Sequence, residues 1–264
     1  MLSQESIASI LPIGQLGREL VFQETIGSTN DLAKRLAEQG RPAGTLVVAD
    51  EQTAGRGRGN RGWVTPAGTA LALSVVLRPH LTPGAAALTL NGLGALAVVE
   101  ALLAVGIEAE IKWPNDVLVG GRKAAGVLAE VAWSEDRIDY AVIGIGVNVR
   151  AGSAPPDDQV LFPASSLEQA AGRQIDRLDL LAGILEQIDH WLPAAGQPRL
   201  IDAWHKRLAY VGQPVMLEQS KGQVEGDLVG LADDGRLRLL LADGREMVAG
   251  QDFVHLRPVD SPVD

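Results

Sequence analysis

The stretch EQTAGRGRGNRGW, Glu51 to Trp63, interleaves Arg56, Arg58 and Arg61 with four glycines. A Gly-rich backbone can turn its N–H groups inward, and guanidinium forks pair with phosphate oxygens that approach them. The stretch has no apolar period, so it buries no strand or helix face. It reads either as a phosphate cradle or as a solvated surface loop. RGG-type RNA-binding segments sit in low-complexity sequence, and this one does not. In KWPND, Lys112, Asn115 and Asp116 gather a cation, an amide and a carboxylate beside a strand end. Such groups suit phosphate, ribose, base or magnesium contacts, or simply form a turn. Lys123 follows Gly120-Gly121 and precedes Ala124, Ala125 and Gly126, so its ammonium faces either a pocket or solvent. Asn148, closing GIGVN, is either a strand-end cap or a ligand contact. Gly144 and Gly146 mark close approach of a ligand or another backbone.

Other chemistries are excluded. The chain has no cysteine, hence no disulfide, thiolate metal site or thiol nucleophile. Its four histidines (80, 190, 205 and 255) show no metal-ligand spacing, nothing resembles a serine triad, and GRGRGNRG lacks the Gly-Lys-Ser/Thr ending of a P-loop. A net charge of -10 and a pI near 4.9 argue against a general nucleic-acid or anionic-membrane binder. Any basic site is therefore local.

The elements that must position these residues follow from pattern. Ser28-Thr29-Asn30 reads as a helix cap, Leu32, Ala33, Leu36 and Ala37 as its apolar face, and Gly40 as its stop. Residues 44–50 (GTLVVAD) and 69–79 (TALALSVVLRP) predict strands on either side of the arginine stretch. Residues 85–107 form the one membrane-like window. Asn91 and Glu100 inside it favour a buried amphipathic helix started by Pro83. With no signal peptide at the N-terminus, this indicates a soluble, cytoplasmic protein. A strand near 108–113 ends at Pro114. GRKAAGVLAEVAW and RIDYAVIGIGVNV read as adjacent strands turning at Ser134-Glu135-Asp136, then residues 150–162 as a mobile loop. Two helical patterns cover 176–192 and 198–210. After Gly212 come five short β runs, with Asp234-Gly235 and Asp243-Gly244 as hairpin turns, suggesting a small closed barrel. The fold class is α+β, with 1–212 and 213–264 as domains.

Taken together, Ser28-Thr29-Asn30, EQTAGRGRGNRGW, KWPND, GRKAAGVL and GIGVNV resemble the biotin–protein ligases, in order and spacing, over roughly residues 24–257. The resemblance implies a mixed-sheet catalytic domain flanked by helices and followed by an SH3-like barrel. It implies that biotin and Mg²⁺-ATP form biotinyl-5′-AMP, whose acyl group passes to a lysine of the biotin carboxyl carrier domain of a biotin-dependent carboxylase. By the same resemblance, Ser28, Thr29, Asn30, Gln52, Arg56, Gly57, Arg58, Lys123 and Gly126 contact biotin. Arg56, Arg58, Arg61, Trp63, Lys112, Asn115, Asp116 and Asn148 contact ATP or the adenylate. Lys123 and Arg58 are the expected catalytic cations, and Asp116 is a candidate Mg²⁺ contact.

Three departures stand out. Gly59-Asn60 replaces the Arg-Gly of many bacterial members. Residues 150–162 lack a tryptophan to stack on adenine, leaving Phe162 or an aliphatic. No helix-turn-helix precedes residue 28, so a short form without a DNA-binding role, monomeric or weakly dimeric, is expected. The alternatives are a lipoate–protein ligase-like enzyme and a non-catalytic biotin- or nucleotide-binding interaction protein. The barrel begins beyond every biotin-matching residue, which points to a role in transfer or ATP use.

Overall fold

The β-branched runs pair into one mixed sheet. The computed structural model describes residues 2–11, 14, 16–59, 61–81, 86–134, 137–219, 222–250 and 253–259. After a short helix α1 (Gln4–Ala8), strand β1 (Leu20–Ile26) leads into α2 (Thr29–Glu38) and β2 (Leu46–Arg56). Then come β3 (Gly62–Thr65), β4 (Ala70–Leu77), α3 (Ala86–Ala104), β5 (Glu110–Lys112), β6 (Asp116–Val119), β7 (Arg122–Ser134) and β8 (Arg137–Asn148). The sheet order is β1-β2-β4-β8-β7-β6-β5, with β3 added to β2. Only β1–β2 is parallel among its described ladders; the others are antiparallel. The chain then runs through α4 (Leu167–Ala171), α5 (Arg177–Trp191) and α6 (Pro198–Lys206).

The period of two along each strand sorts the sheet's faces. Leu46, Val48, Leu73, Val75, Ile143 and Ile145 join the large core that includes α3 and α5. Val47, Val76 and Val142 face the other way, onto Ala33 and Ala37 of α2. Cross-strand register then puts Ser74, Gly144 and Leu128 in one row on the α2 face, flanked on β7 by Gly126 and Glu130. That face carries the site.

Helix α3 is apolar all round rather than amphipathic. It is long and apolar enough to cross a membrane, yet it lies buried in the core, against the sheet, α5 and α6. A helix enclosed on every side needs no polar stripe. Gly40 ends α2 at a φ of +83°, as expected of a helix stop. Ser28 occupies the cap position of α2 without a capping side-chain bond. Pro83, Asn60 and the turn at Glu135-Asp136 lie outside the described residues.

Strands β9 (Pro214–Gln219), β10 (Gly222–Leu231), β11 (Leu237–Leu240), β12 (Glu246–Ala249) and β13 (Phe253–Pro258) form an antiparallel sheet ordered β12-β11-β10-β9-β13. No ladder closes it into a barrel among the described residues. Its Asp-Gly turns are built alike: Asp234 and Asp243 each accept from the backbone N–H and the guanidinium Nε two residues on, at Arg236 and Arg245. Its inward residues Val215, Leu217, Leu228, Leu237, Leu239 and Leu256 join the same core as Trp204 and α3.

Candidate active site

Every residue singled out for biotin or nucleotide, from Ser28 to Asn148, lines one cavity of about 450 Å³ on the α2 face of the sheet. At one end, Thr29 and Gln52 are joined: the Gln52 Oε1 accepts from the Thr29 N–H at 2.8 Å and from its hydroxyl at 3.0 Å. Gln52 thereby satisfies a donor of the first turn of α2, which Ser28 leaves open. The Ser74 hydroxyl lies 2.9 Å from Thr29 Oγ1 and 2.6 Å from Asn30 Oδ1. Ser74 is wholly buried, and sequence reasoning misses it. Only its strand register, not its neighbours in the chain, points it at this row.

The glycines admit side chains here, not the ligand or backbone expected of them. A Cβ on Gly144 would sit 1.9 Å from Asn30 Oδ1, and one on Gly146 would sit 2.2 Å from Trp63 Nε1. The Trp63 indole thus lies on the floor formed by Gly146 and Gly126. Its buried Nε1 has no hydrogen-bond partner among the described residues.

At the other end, Asp116 lies between two lysines, 2.5 Å from Lys123 Nζ and 3.5 Å from Lys112 Nζ. Burial pushes the Asp116 carboxyl up, but the two ammonium groups outweigh it and bring it down to about 2. Burial lowers Lys112, against the pull of Asp116, and the ring of Phe162 lies 4.4 Å from its Nζ. Arg58 is also lowered by burial, while Asp116 raises it and Arg61 lowers it. Asn115 donates to the Val127 carbonyl at 2.5 Å, and Asn148 to the Ser165 carbonyl at 3.4 Å. Both amides therefore brace the wall they line. Both oxygens of Asp116, the candidate metal contact, face lysines. No group of three or more acidic or histidine side chains is placed to hold a metal among the described residues.

The arginine stretch is a hairpin. β2 runs to Arg56, β3 returns from Gly62, and Gly57 N–H donates to the Arg61 carbonyl at 2.7 Å. Gly59 takes the left-handed turn at a φ of +61°. Arg56 lines the cavity, and its guanidinium pairs with Glu130 at 2.6 Å and Asp31 at 2.7 Å, so protein carboxylates already hold it. Burial raises Glu130, but hydrogen bonds from Asn30, Lys34 and Arg56 outweigh it and lower it below the usual glutamate range. The loop over 150–162 is held by the Arg150 N–H on the Thr69 carbonyl at 2.8 Å and by Asp157, 2.5 Å from the Arg122 guanidinium, and its Ser153 is wholly buried.

Residues 22–148 match the Biotin/lipoate A/B protein ligase family, and residues 210–256 match the Biotin protein ligase C terminal domain. The bifunctional ligase/repressor BirA of Bacillus spizizenii is 36% identical over 262 residues, 96% of this chain and 78% of that protein. The chain belongs to the biotin protein ligases. The biotin–[acetyl-CoA-carboxylase] ligase of Paracoccus denitrificans is 38% identical over 84% of this chain and 94% of its own. The Aquifex aeolicus biotin protein ligase in complex with biotin and ATP superimposes with a TM-score of 0.77 at 31% identity. That alignment covers 91% of this ligase and 99% of that chain.

Proposed function

We infer that this chain is an ATP-dependent biotin–[acetyl-CoA-carboxylase] ligase. A carboxylate oxygen of biotin attacks the α-phosphorus of ATP, forming biotinyl-5′-AMP and releasing pyrophosphate. A carrier-protein lysine amine then attacks the acyl carbon, forming the amide, losing a proton and releasing AMP. The observation that carries this reading is the cavity's division. A row of hydroxyl and amides at Thr29, Asn30 and Gln52, backed by the buried Ser74, suits the polar ring of biotin. Lys112, Lys123, Arg58 and Arg61 crowd the opposite end, where phosphate charge would lie.

Negative charge builds on the phosphoryl group in the first step and on the carbonyl oxygen in the second. Fixed cations stabilise both. Lys123 is the principal candidate, held by Asp116 and by the backbone bonds that bracket it. Arg58, at the hairpin tip, is the clamp. Ser28, Thr29, Asn30, Gln52, Gly57 and Gly126 take the biotin side; Arg61, Trp63, Lys112, Asn115, Asp116 and Asn148 take the nucleotide side. ATP brings its Mg²⁺ on its own phosphates. The acceptor is a biotin carboxyl carrier domain. A monomer or weak homodimer in the cytoplasm suffices, because one chain supplies the whole cavity, and an acidic surface offers nucleic acid no field.

Biotin-dependent ATP–pyrophosphate exchange tests the reading, with lipoate in parallel. Exchange with biotin alone supports it. Preference for lipoate, or binding without exchange, overturns it. Lys123→Ala should slow exchange about 30- to 1000-fold, the effect of losing roughly 2–4 kcal/mol of transition-state stabilisation.

A further inference from the structure

Glu130 has no role in the site as described, and it is not among the residues lining the cavity. It stands on β7, on the sheet face that carries Gly126 and Leu128, and its carboxylate serves three residues at once. Asn30 Nδ2 donates to Oε2 at 3.0 Å and Lys34 Nζ to Oε1 at 3.0 Å. Arg56 forks onto both oxygens at 3.2 and 2.6 Å.

These partners come from two elements. Asn30 and Lys34 belong to the first turns of α2, as does Asp31, which takes the same guanidinium at 2.7 Å. Arg56 is the last residue of β2, where the arginine hairpin leaves the sheet. Asn30 is itself fixed through Ser74 and the space above Gly144. One continuous network therefore runs from the row assigned to biotin, through Glu130, to the root of the hairpin. A bidentate guanidinium–carboxylate pair fixes orientation as well as distance.

We propose that Glu130 is a positioning residue that pins the root of the arginine hairpin to α2. Arg56 is then the pin's other half rather than a phosphate ligand, and Arg58, two residues further on, is the arm that closes. The proposal rests on reading the hairpin as the clamp over the adenylate.

The test uses the full chain loaded with biotinyl-adenylate. It compares Glu130→Gln, Glu130→Asp, Arg56→Gln and the Glu130→Gln/Arg56→Gln double variant. The readouts are adenylate release, biotin affinity and thermal melting. Each Gln variant should release adenylate about tenfold faster, as expected for members of one ion network. Biotin affinity should stay within about threefold, because the amide oxygen introduced by Glu130→Gln still accepts from Asn30. The double variant should release no faster than the faster single one, and Glu130→Asp should fall between wild type and Glu130→Gln. Wild-type release in both Glu130 variants, or multiplied effects in the double, overturns the pin. So does a loss of biotin affinity in step with release, which marks a merely structural role. If Glu130→Gln does not fold, Glu130→Asp carries the comparison. Arg58→Gly separates the two ideas. Wild-type release there with fast release in Glu130→Gln refutes Arg58 as the closing arm and keeps the pin; the reverse pattern refutes the pin.

Discussion

Replacing Asp116 by asparagine removes the anion between Lys112 and Lys123 while keeping its shape. Asp116 is held at about 2 against an ordinary 3.8. At 1.36 kcal/mol per pH unit, the charged form is favoured by roughly 2–3 kcal/mol. Its side chain is only 15% exposed, so solvent screens little of this. A carboxyl whose value is depressed by folding contributes stability above its unfolded value, and that contribution is lost as pH falls toward the folded value. The wild type should therefore outlast Asp116→Asn fully above pH 4, and the difference should fade as pH drops from 4 to 2. At neutral pH the melting midpoint of the variant should fall by about 5–10 °C, taking roughly 2–4 °C per kcal/mol for a chain of this size.

Activity should suffer separately. Burial already lowers Lys112, and Asp116 is the group that opposes it. Without the anion, Lys112 moves further toward its neutral form, and Lys123 loses the negative charge 2.5 Å from its ammonium. Exchange should fall by more than about tenfold, since each 1.36 kcal/mol lost from the transition state costs that factor. Melting curves from pH 2 to 8 and biotin-dependent pyrophosphate exchange check both arms. A midpoint within about 2 °C of wild type at neutral pH, with exchange within about threefold, would refute the argument.

Arg58→Gly should raise adenylate release far more than it weakens biotin capture, and the escaped anhydride should label lysines of a bystander protein; equal release rates refute the clamp. Trp113→Phe removes one bond, from the indole N–H to the Gly235 carbonyl at 3.0 Å, by which the C-terminal sheet props KWPND. It should raise the KM for ATP several-fold with little change in biotin affinity, and an unchanged KM refutes the prop. A chain ending at Tyr210 should melt early or fail to fold, because Trp204 and its neighbours lose the apolar cover of Val215, Leu228 and Leu237; a cooperative melt near that of the full chain refutes this. Asp50→Ala leaves Arg177, 3% exposed, without its carboxylate 2.7 Å away, and should cost about 3–5 kcal/mol in denaturant titrations; a loss under about 1 kcal/mol refutes it.

What the sequence shows and what it hides have a common cause. Each chemical motif is a local run, so its residues can be named without knowing which sheet face they share. The paired strands at 122–134 and 137–148, α5, and all five C-terminal strands follow from local pattern alone. Short β3 and β6 escape sequence reasoning because four residues at a hairpin carry too little period to read. Ser74 and Glu130 escape it for another reason. Their importance comes from register, which sets Ser74 opposite Gly144 and puts Glu130 on the face that meets α2. Likewise, Gly144 and Gly146 are places of close approach, as their position in a strand suggests, but only the fold shows that Asn30 and Trp63 fill them.

The same reasoning explains how an acidic chain can keep an anion site. Five cations but one carboxylate, Asp116, line the cavity, although the whole chain carries -10. The acids that steady this cluster stand behind it: Asp31 and Glu130 hold Arg56 from α2 and β7. Placed there, they fix a guanidinium without standing in the path of a phosphate. Asp116 is the exception, and its cost is offset by two ammonium groups that it orients in return. The positive field is therefore short-ranged, limited to a cavity with low-dielectric walls, where charge acts more strongly than at an open surface. Added salt should consequently weaken adenylate binding only slightly, because charges enclosed in the cavity are screened far less than exposed ones, for which screening acts within about 8–10 Å; a steep salt dependence of the adenylate release rate would refute this.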